Sequence, residues 1–247
     1  DRDTTKVRLV MLSNLCDRAI IGSTSISHNQ ALWSGPCLNQ KLSTSLLMLR
    51  FDEKLLCFDL RKAFLQINIP DVDRNRLLFL WYNDISKGDF SIRVFRNLRL
   101  SFGLRCSPTI LMTALYKILM IDVENDSEKI KDLKKIIYSL IYMDNGSVTS
   151  NSSAELKWAF EQLNSIFNPY GFSLQQFVTN DRELGETIGE CDEISIDNKL
   201  FGLNWNTQSD TLSTQKLSID GNACTKRKIL SSIAENFDPY NINGPLL

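Results

Sequence analysis

Histidine occurs once in 247 residues, as His28, and the six cysteines (Cys16, Cys37, Cys57, Cys106, Cys191, Cys224) include no C-x-x-C pair. That scarcity argues against a zinc knuckle or any Cys/His metal centre. Thiols scattered in this way fit a reduced, intracellular setting. Long apolar runs are missing too. The longest candidate, Lys135-Ile136-Ile137-Tyr138-Ser139-Leu140-Ile141, is strand-sized, so no membrane partner is expected. Net charge is only −1, which excludes a uniformly basic nucleic-acid binder. The opening Asp1-Arg2-Asp3-Thr4-Thr5 has neither an initiator Met nor a signal-peptide pattern. It reads as the cut edge of a longer polypeptide. Internal repeats and low-complexity tracts are absent.

What is present is ordinary globular material, 43% hydrophobic and 23% charged, long enough for one large domain or two small lobes. Charge is concentrated locally. Ser91 to Arg105 holds Arg93, Arg96, Arg99 and Arg105 without an acid, and Lys226-Arg227-Lys228 is a second basic cluster. Such tracts either line a phosphate channel or form a solvated face. Asp181 to Asp197 is the acidic counterpart, with Arg182 its only base.

Periodicity predicts strands at Val7–Leu12, Lys54 onward into a short helical turn by Ile69, Arg76–Tyr82, Ile136–Tyr142, Gly146–Thr149, Phe172–Val178 and Lys199–Trp205. An irregular strand is expected over Ile92–Leu98 and a charged loop over Glu124–Lys131. Helices are predicted over Leu38–Arg50, from Ser107-Pro108 to about Met120, over Ser153–Phe167 and over Thr225–Phe237. Met143-Asp144-Asn145 suits a tight hairpin. Helices and hairpins interleave without a βαβ repeat, so the expected class is α+β with an antiparallel sheet backed by helices.

Two aspartates stand in apolar surroundings: Asp59 within Leu55-Leu56-Cys57-Phe58-Asp59-Leu60, and Asp144 at the proposed hairpin tip. Burying a carboxylate costs several kcal/mol unless it is paired, and two brought together repel. A hard divalent cation resolves both difficulties. An aspartate at a strand end is, on spacing alone, more often a cap or turn residue.

The surrounding words go further. Phe58-Asp59-Leu60-Arg61-Lys62-Ala63-Phe64 resembles the first catalytic motif of reverse transcriptases, and Tyr142-Met143-Asp144-Asn145 resembles their Tyr-x-Asp-Asp box. Ser101-Phe102-Gly103-Leu104-Arg105-Cys106-Ser107-Pro108 resembles the motif between them. The finer likeness is to the BEL/Pao group of LTR retrotransposons. It rests on Thr4–Val10, Ser27–Pro36, Asp73–Trp81, Gly202–Trp205, Thr225–Ser231 and Phe237–Pro239, and so covers nearly the whole chain.

The resemblance implies a right-hand polymerase: partial fingers over 1–50, palm over 51–66, fingers over 67–100, palm over 101–215 and the start of a thumb over 216–247. It implies an RNA-directed DNA polymerase within a Pol polyprotein, whose other domains lie outside this chain. Its partners would be an RNA or DNA template with a primer, and a dNTP. Asp59, Asp144 and the backbone carbonyl of Leu60 would hold two Mg²⁺ ions, with Mn²⁺ a possible substitute. Phe64 would exclude a ribose 2′-hydroxyl. Arg8 would grip the triphosphate through its planar fork, and Phe102 and Gly103 would lie along the nucleotide and template. Gly202 and Leu203 would sit near the primer-gripping hairpin.

Several positions depart from that pattern. Asn145 replaces the second aspartate of the box and removes a charge beside the metals, so impaired catalysis is expected. The alternative is a catalytically dead, decayed or repurposed copy that keeps only fold and nucleic-acid binding. Ser101 stands where proline is usual, Leu12 where the group has aspartate, and Gln175-Gln176 where a basic residue precedes an aromatic one. The upstream half of the fingers, and protease, ribonuclease H and integrase segments, are not in this chain.

Overall fold

The computed structural model describes residues 18–21, 24–189, 197–214, 225–228 and 239. The predicted Val7–Leu12 strand and Arg8 lie outside them. Of the predicted Thr225–Phe237 helix, only residues 225–228 are described, and 226–228 are helical.

The elements begin with β1 (Arg18–Ile21), β2 (Thr24–Ser27), α1 (His28–Ala31), α2 (Leu42–Met48), β3 (Lys54–Leu60), α3 (Ala63–Gln66) and α4 (Asp71–Arg74). There follow β4 (Leu78–Asp84), β5 (Asp89–Arg96), α5 (Ser107–Tyr116), α6 (Glu128–Leu140), β6 (Asn145–Ser150), α7 (Ser153–Phe167) and β7 (Leu174–Thr179). The last are α8 (Arg182–Gly189), β8 (Asp197–Leu200), β9 (Leu203–Asn206) and β10 (Thr211–Ser213). Among the described residues every strand pairing is antiparallel, and the class is α+β.

The chain forms two compact units: Asp1–Leu38 with Lys62–Ala114, and Asn39–Arg61 with Leu115–Leu247. In the first, β1 and β2 form a hairpin, and β4 pairs with β5 as a two-stranded ribbon. A capping box starts α1: the Ser27 hydroxyl accepts from Gln30 N–H while the Gln30 side chain accepts from Ser27 N–H. β5 is a regular ladder partner from Ile92 to Arg96, without the irregularity expected there; the register shift lies at its start, between Tyr82 and Asp84 of the partner strand.

In the second unit the sheet order is β6-β3-β7. Alternation sends Leu56 and Phe58 to one face, where Phe58 meets Phe167 of α7 edge-on at 5.9 Å between centroids. Gly146, opposite Phe58, has no room for a side chain: a Cβ would lie 2.4 Å from the Phe58 ring. Leu55, on the other face, joins Leu46, Leu49, Leu140, Leu200, Leu203 and Trp205 in a buried cluster. The β8–β9 hairpin thus covers one end of that face.

Three local expectations are corrected. Ile136–Tyr142 is not a strand: α6 runs from Glu128 to Leu140, capped by the Ser127 hydroxyl. The β-branched pair Ile136-Ile137 imitates a strand, but Leu133, Ile137 and Leu140 continue a helical stripe and are buried. That helix also takes up the latter part of the expected Glu124–Lys131 loop. Lys199–Trp205 is a hairpin rather than one strand, because Phe201 and Gly202 turn the chain at φ 48° and 88°. The helix expected from Ser107 to about Met120 is present, α-helical to Tyr116 and continued by a wider π turn over Lys117–Ile121.

Candidate two-carboxylate site

Asp59 is the penultimate residue of β3. It stands directly opposite Asn145 of β6 and Gln175 of β7. Directly opposed residues of antiparallel strands project to the same face. Asn145, Asp59 and Gln175 therefore form one row across the sheet, on the face away from Phe58. A register irregularity creates this row. Between Cys57 and Asp59, β7 carries an extra residue, and Gln176 there takes φ 56°. The bulge brings Gln175 opposite Asp59, and Gln175 Nε2 donates to Asp59 Oδ2 at 2.7 Å.

Asp144 sits in the turn that enters β6. Tyr142 N–H donates to Asn145 O at 2.8 Å, and Asn145 N–H to Tyr142 O at 3.1 Å, closing a two-residue corner of Met143 and Asp144. Met143 adopts φ 57°, a strained value for a side chain of its kind. The Asp144 carbonyl accepts from Leu60 N–H at 2.8 Å, which ties the corner to the end of β3. Asn145 Nδ2 donates to Asp144 Oδ1 at 3.2 Å. A carboxylate oxygen can only accept, so the amide nitrogen must face it.

Below this row lie Cys57 and Ser147, with the Cys57 sulfur 3.5 Å from the Ser147 hydroxyl. Burial pushes the Cys57 thiol up to about 12, against a smaller lowering by Ser147. It stays a neutral thiol at physiological pH. The row opens on a cleft of about 780 Å³ bounded by Asp59, Asn145, Gln175, Lys199, Phe201 and Trp205. Phe201 also packs edge-on against Tyr142 of the corner, at 5.9 Å.

The donor set suits a hard cation in kind. Asp59 and Asp144 supply carboxylate oxygens, and Asn145 could offer an amide carbonyl. In number it is poor: among the described residues, no group of three His, Cys, Asp or Glu converges. Two amide donors, from Gln175 and Asn145, instead satisfy the carboxylates that a cation would bridge.

Phe64 and Phe102 belong to the other unit, where their rings meet edge-on at 4.9 Å. Gly103 follows at φ 87°, in the region that favours glycine. Leu60 is wholly buried at the end of β3. Sequence reasoning noted Gln175 only as a departure from a pattern. Its bond to Asp59 had no local signal, because it depends on the bulge.

No protein-family model matches the chain, and no curated protein is similar to it. No helix among the described residues is long and apolar enough to cross a membrane.

Proposed function

We propose that the chain is a polymerase domain of the reverse-transcriptase type, related to the BEL/Pao group, and that Asn145 leaves it catalytically weak. The observation that supports the reading is the pairing of β3 with β6, in which Asp59 stands opposite Asn145 and Leu60 N–H bonds the Asp144 carbonyl. Two motifs that are far apart in sequence, each like a half of the same catalytic centre, end on neighbouring strands of one sheet.

The reaction would join a dNTP to a primer end. The primer 3′-hydroxyl gives up its proton and its oxygen bonds to the α-phosphorus. The bond from that phosphorus to the bridging oxygen breaks, and pyrophosphate leaves with the electron pair. Mg²⁺ would supply charge neutralisation for the attacking and leaving oxygens. Asp59 and Asp144 would hold it, and the Leu60 bond to Asp144 would keep them in register. Phe64 would exclude a ribose 2′-hydroxyl.

A second reading, a fold kept without catalysis, draws on the amide donors. Asn145 in place of a carboxylate removes repulsion and adds a bond to Asp144, so the site is stable with no cation at all.

Primer extension on a primed RNA template separates the two. The polymerase reading expects slow extension, faster extension by Asn145→Asp, and none by Asp59→Asn. Extension that survives Asp59→Asn rejects the assignment. Independently of turnover, Asn145→Asp should lower the metal-free melting temperature and make it rise with Mg²⁺. A melting curve indifferent to Mg²⁺ in that variant, with no extension, selects the second reading.

A further inference from the structure

The turn that carries Phe102 is held by a side chain distant in sequence. Asn29 Nδ2 donates to Gly103 O at 2.8 Å, and Asn29 Oδ1 accepts from Arg105 N–H at 2.9 Å. One carboxamide thus pairs with the backbone as a neighbouring strand would. Asn29 is itself fixed in place, because Ser27 and Gln30 close the capping box around it. The rest of the turn is tied from within the same unit. Leu100 N–H donates to Ile67 O, and the Ser107 hydroxyl donates to Ser101 O. Leu100 and Leu104 are buried, whereas Phe102 between them is 47% exposed. Phe102 in turn bears on Phe64.

We infer that Asn29 is a positioning residue for the Phe102–Gly103 turn and, through it, for the Phe64 ring. The inference rests on the polymerase reading for what Phe64 does; the clamp is independent of it. A turn with a left-handed glycine has several alternative conformations, and only a donor and an acceptor held at a fixed spacing select one. Asparagine has both. Aspartate has the shape and the acceptor, but would set a second oxygen against the Gly103 carbonyl. Alanine has neither.

The test measures nucleotide capture without turnover. The chain is bound to a dideoxy-terminated primer on an RNA template with Mg²⁺, and the complementary dNTP or rNTP is titrated. Asn29→Ala and Asn29→Asp should weaken dNTP capture about tenfold and rNTP capture less, so the preference for deoxyribose shrinks. Hydrogen exchange at the Arg105 amide should accelerate in Asn29→Ala, which removes its acceptor, while the amides of β3 keep their protection.

If the parent chain captures the matched dNTP and the variants capture it with the same preference, the inference is wrong and the polymerase reading stands. If the parent chain captures no matched nucleotide, the polymerase reading is overturned and with it the role given to Phe64, and exchange at Arg105 alone decides the clamp. Unchanged exchange at Arg105 in Asn29→Ala would dispose of the clamp itself.

Discussion

Leu55-Leu56-Cys57-Phe58 in β3 and Leu78-Phe79-Leu80-Trp81-Tyr82 in β4 are equally apolar stretches of chain. In β3, Leu56 and Phe58 are 0% and 2% exposed. In the ribbon, Leu78 and Leu80 are 53% and 65% exposed, and their neighbours Ile92 and Val94 across the ladder are 67% and 64%. What differs is the number of layers. β3 is central in its sheet and has α7 on one face and the β8–β9 cluster on part of the other. The ribbon has two strands and keeps its apolar rows at the surface. Burial therefore follows what the chain brings over a strand, not the strand's hydropathy. The covered sheet can hold Asp59 in a fixed row, because its backbone cannot shift without exposing Phe58.

The sharpest way to break that comparison is to truncate one side chain in each region. Phe58→Ala should cost about 3–5 kcal/mol, since it opens a cavity against Phe167, Phe177 and Gly146. Leu80→Ala should change stability by no more than about 0.5 kcal/mol. Urea unfolding of both variants measures this. Equal losses would mean that the ribbon's apolar row is as deeply packed as the sheet's.

A second contrast lies in the ion pairs. Lys54, at the start of β3, meets Asp181 at 2.6 Å with the Asp181 side chain 2% exposed, whereas Lys87 and Asp84 pair at the open turn of the ribbon. Asp181 also accepts from Ser153 and from Leu184 N–H, capping α8. Burial acts to raise the Asp181 carboxyl, but Lys54, Leu184 N–H and Ser153 outweigh it and hold it below the usual carboxylate range. Asp181→Ala should cost about 2 kcal/mol. A carboxyl with a lowered folded pKa stabilises fully above its ordinary value, about 3.9, and loses that contribution as pH falls through the folded value. The penalty of Asp181→Ala should therefore fade in acid. Lys87→Ala should leave the urea midpoint where it is. A penalty for Asp181→Ala that does not change with pH would show that lost packing, not charge, accounts for it.

How far the sequence disclosed this molecule depended on where the partners lay. β3, β6 and α7 were readable because a buried apolar run, a glycine and a serine cap are local signals. The adjacency of β3 and the Tyr142 corner could be expected only through the likeness to a known pair of motifs. α6 was misjudged where two isoleucines outweighed a helical stripe that begins further upstream. The Gln175 bond to Asp59 and the Asn29 clamp left no trace. The first needs a glutamine at positive φ, and the second joins residues 74 and 76 positions apart. Contacts of that kind are decided by register and turn geometry, which one residue's identity does not reveal.

The smallest effect concerns a thiol, and it asks whether the sheet's cover is permanent. Cys57 lies in the covered sheet with its thiol at about 12, pushed there by burial. Ile92→Cys would place a thiol on the exposed row of the ribbon. At pH 8 a thiol of ordinary pKa, about 8.5, is about one quarter thiolate, whereas one at about 12 is about one part in ten thousand. Maleimide treatment followed by peptide mass mapping should therefore modify position 92 within minutes and leave Cys57 intact until urea unfolds the chain. The rate at Cys57, which is half-buried and lines the cleft, then reports how far that cleft is closed to the reagent in native buffer. Modification of Cys57 as fast as position 92 would mean that the cleft beside Asp59 admits the reagent as freely as the open face of the ribbon. The two regions would then differ little in what reaches them, and burial would not be what keeps the Cys57 thiol unreactive.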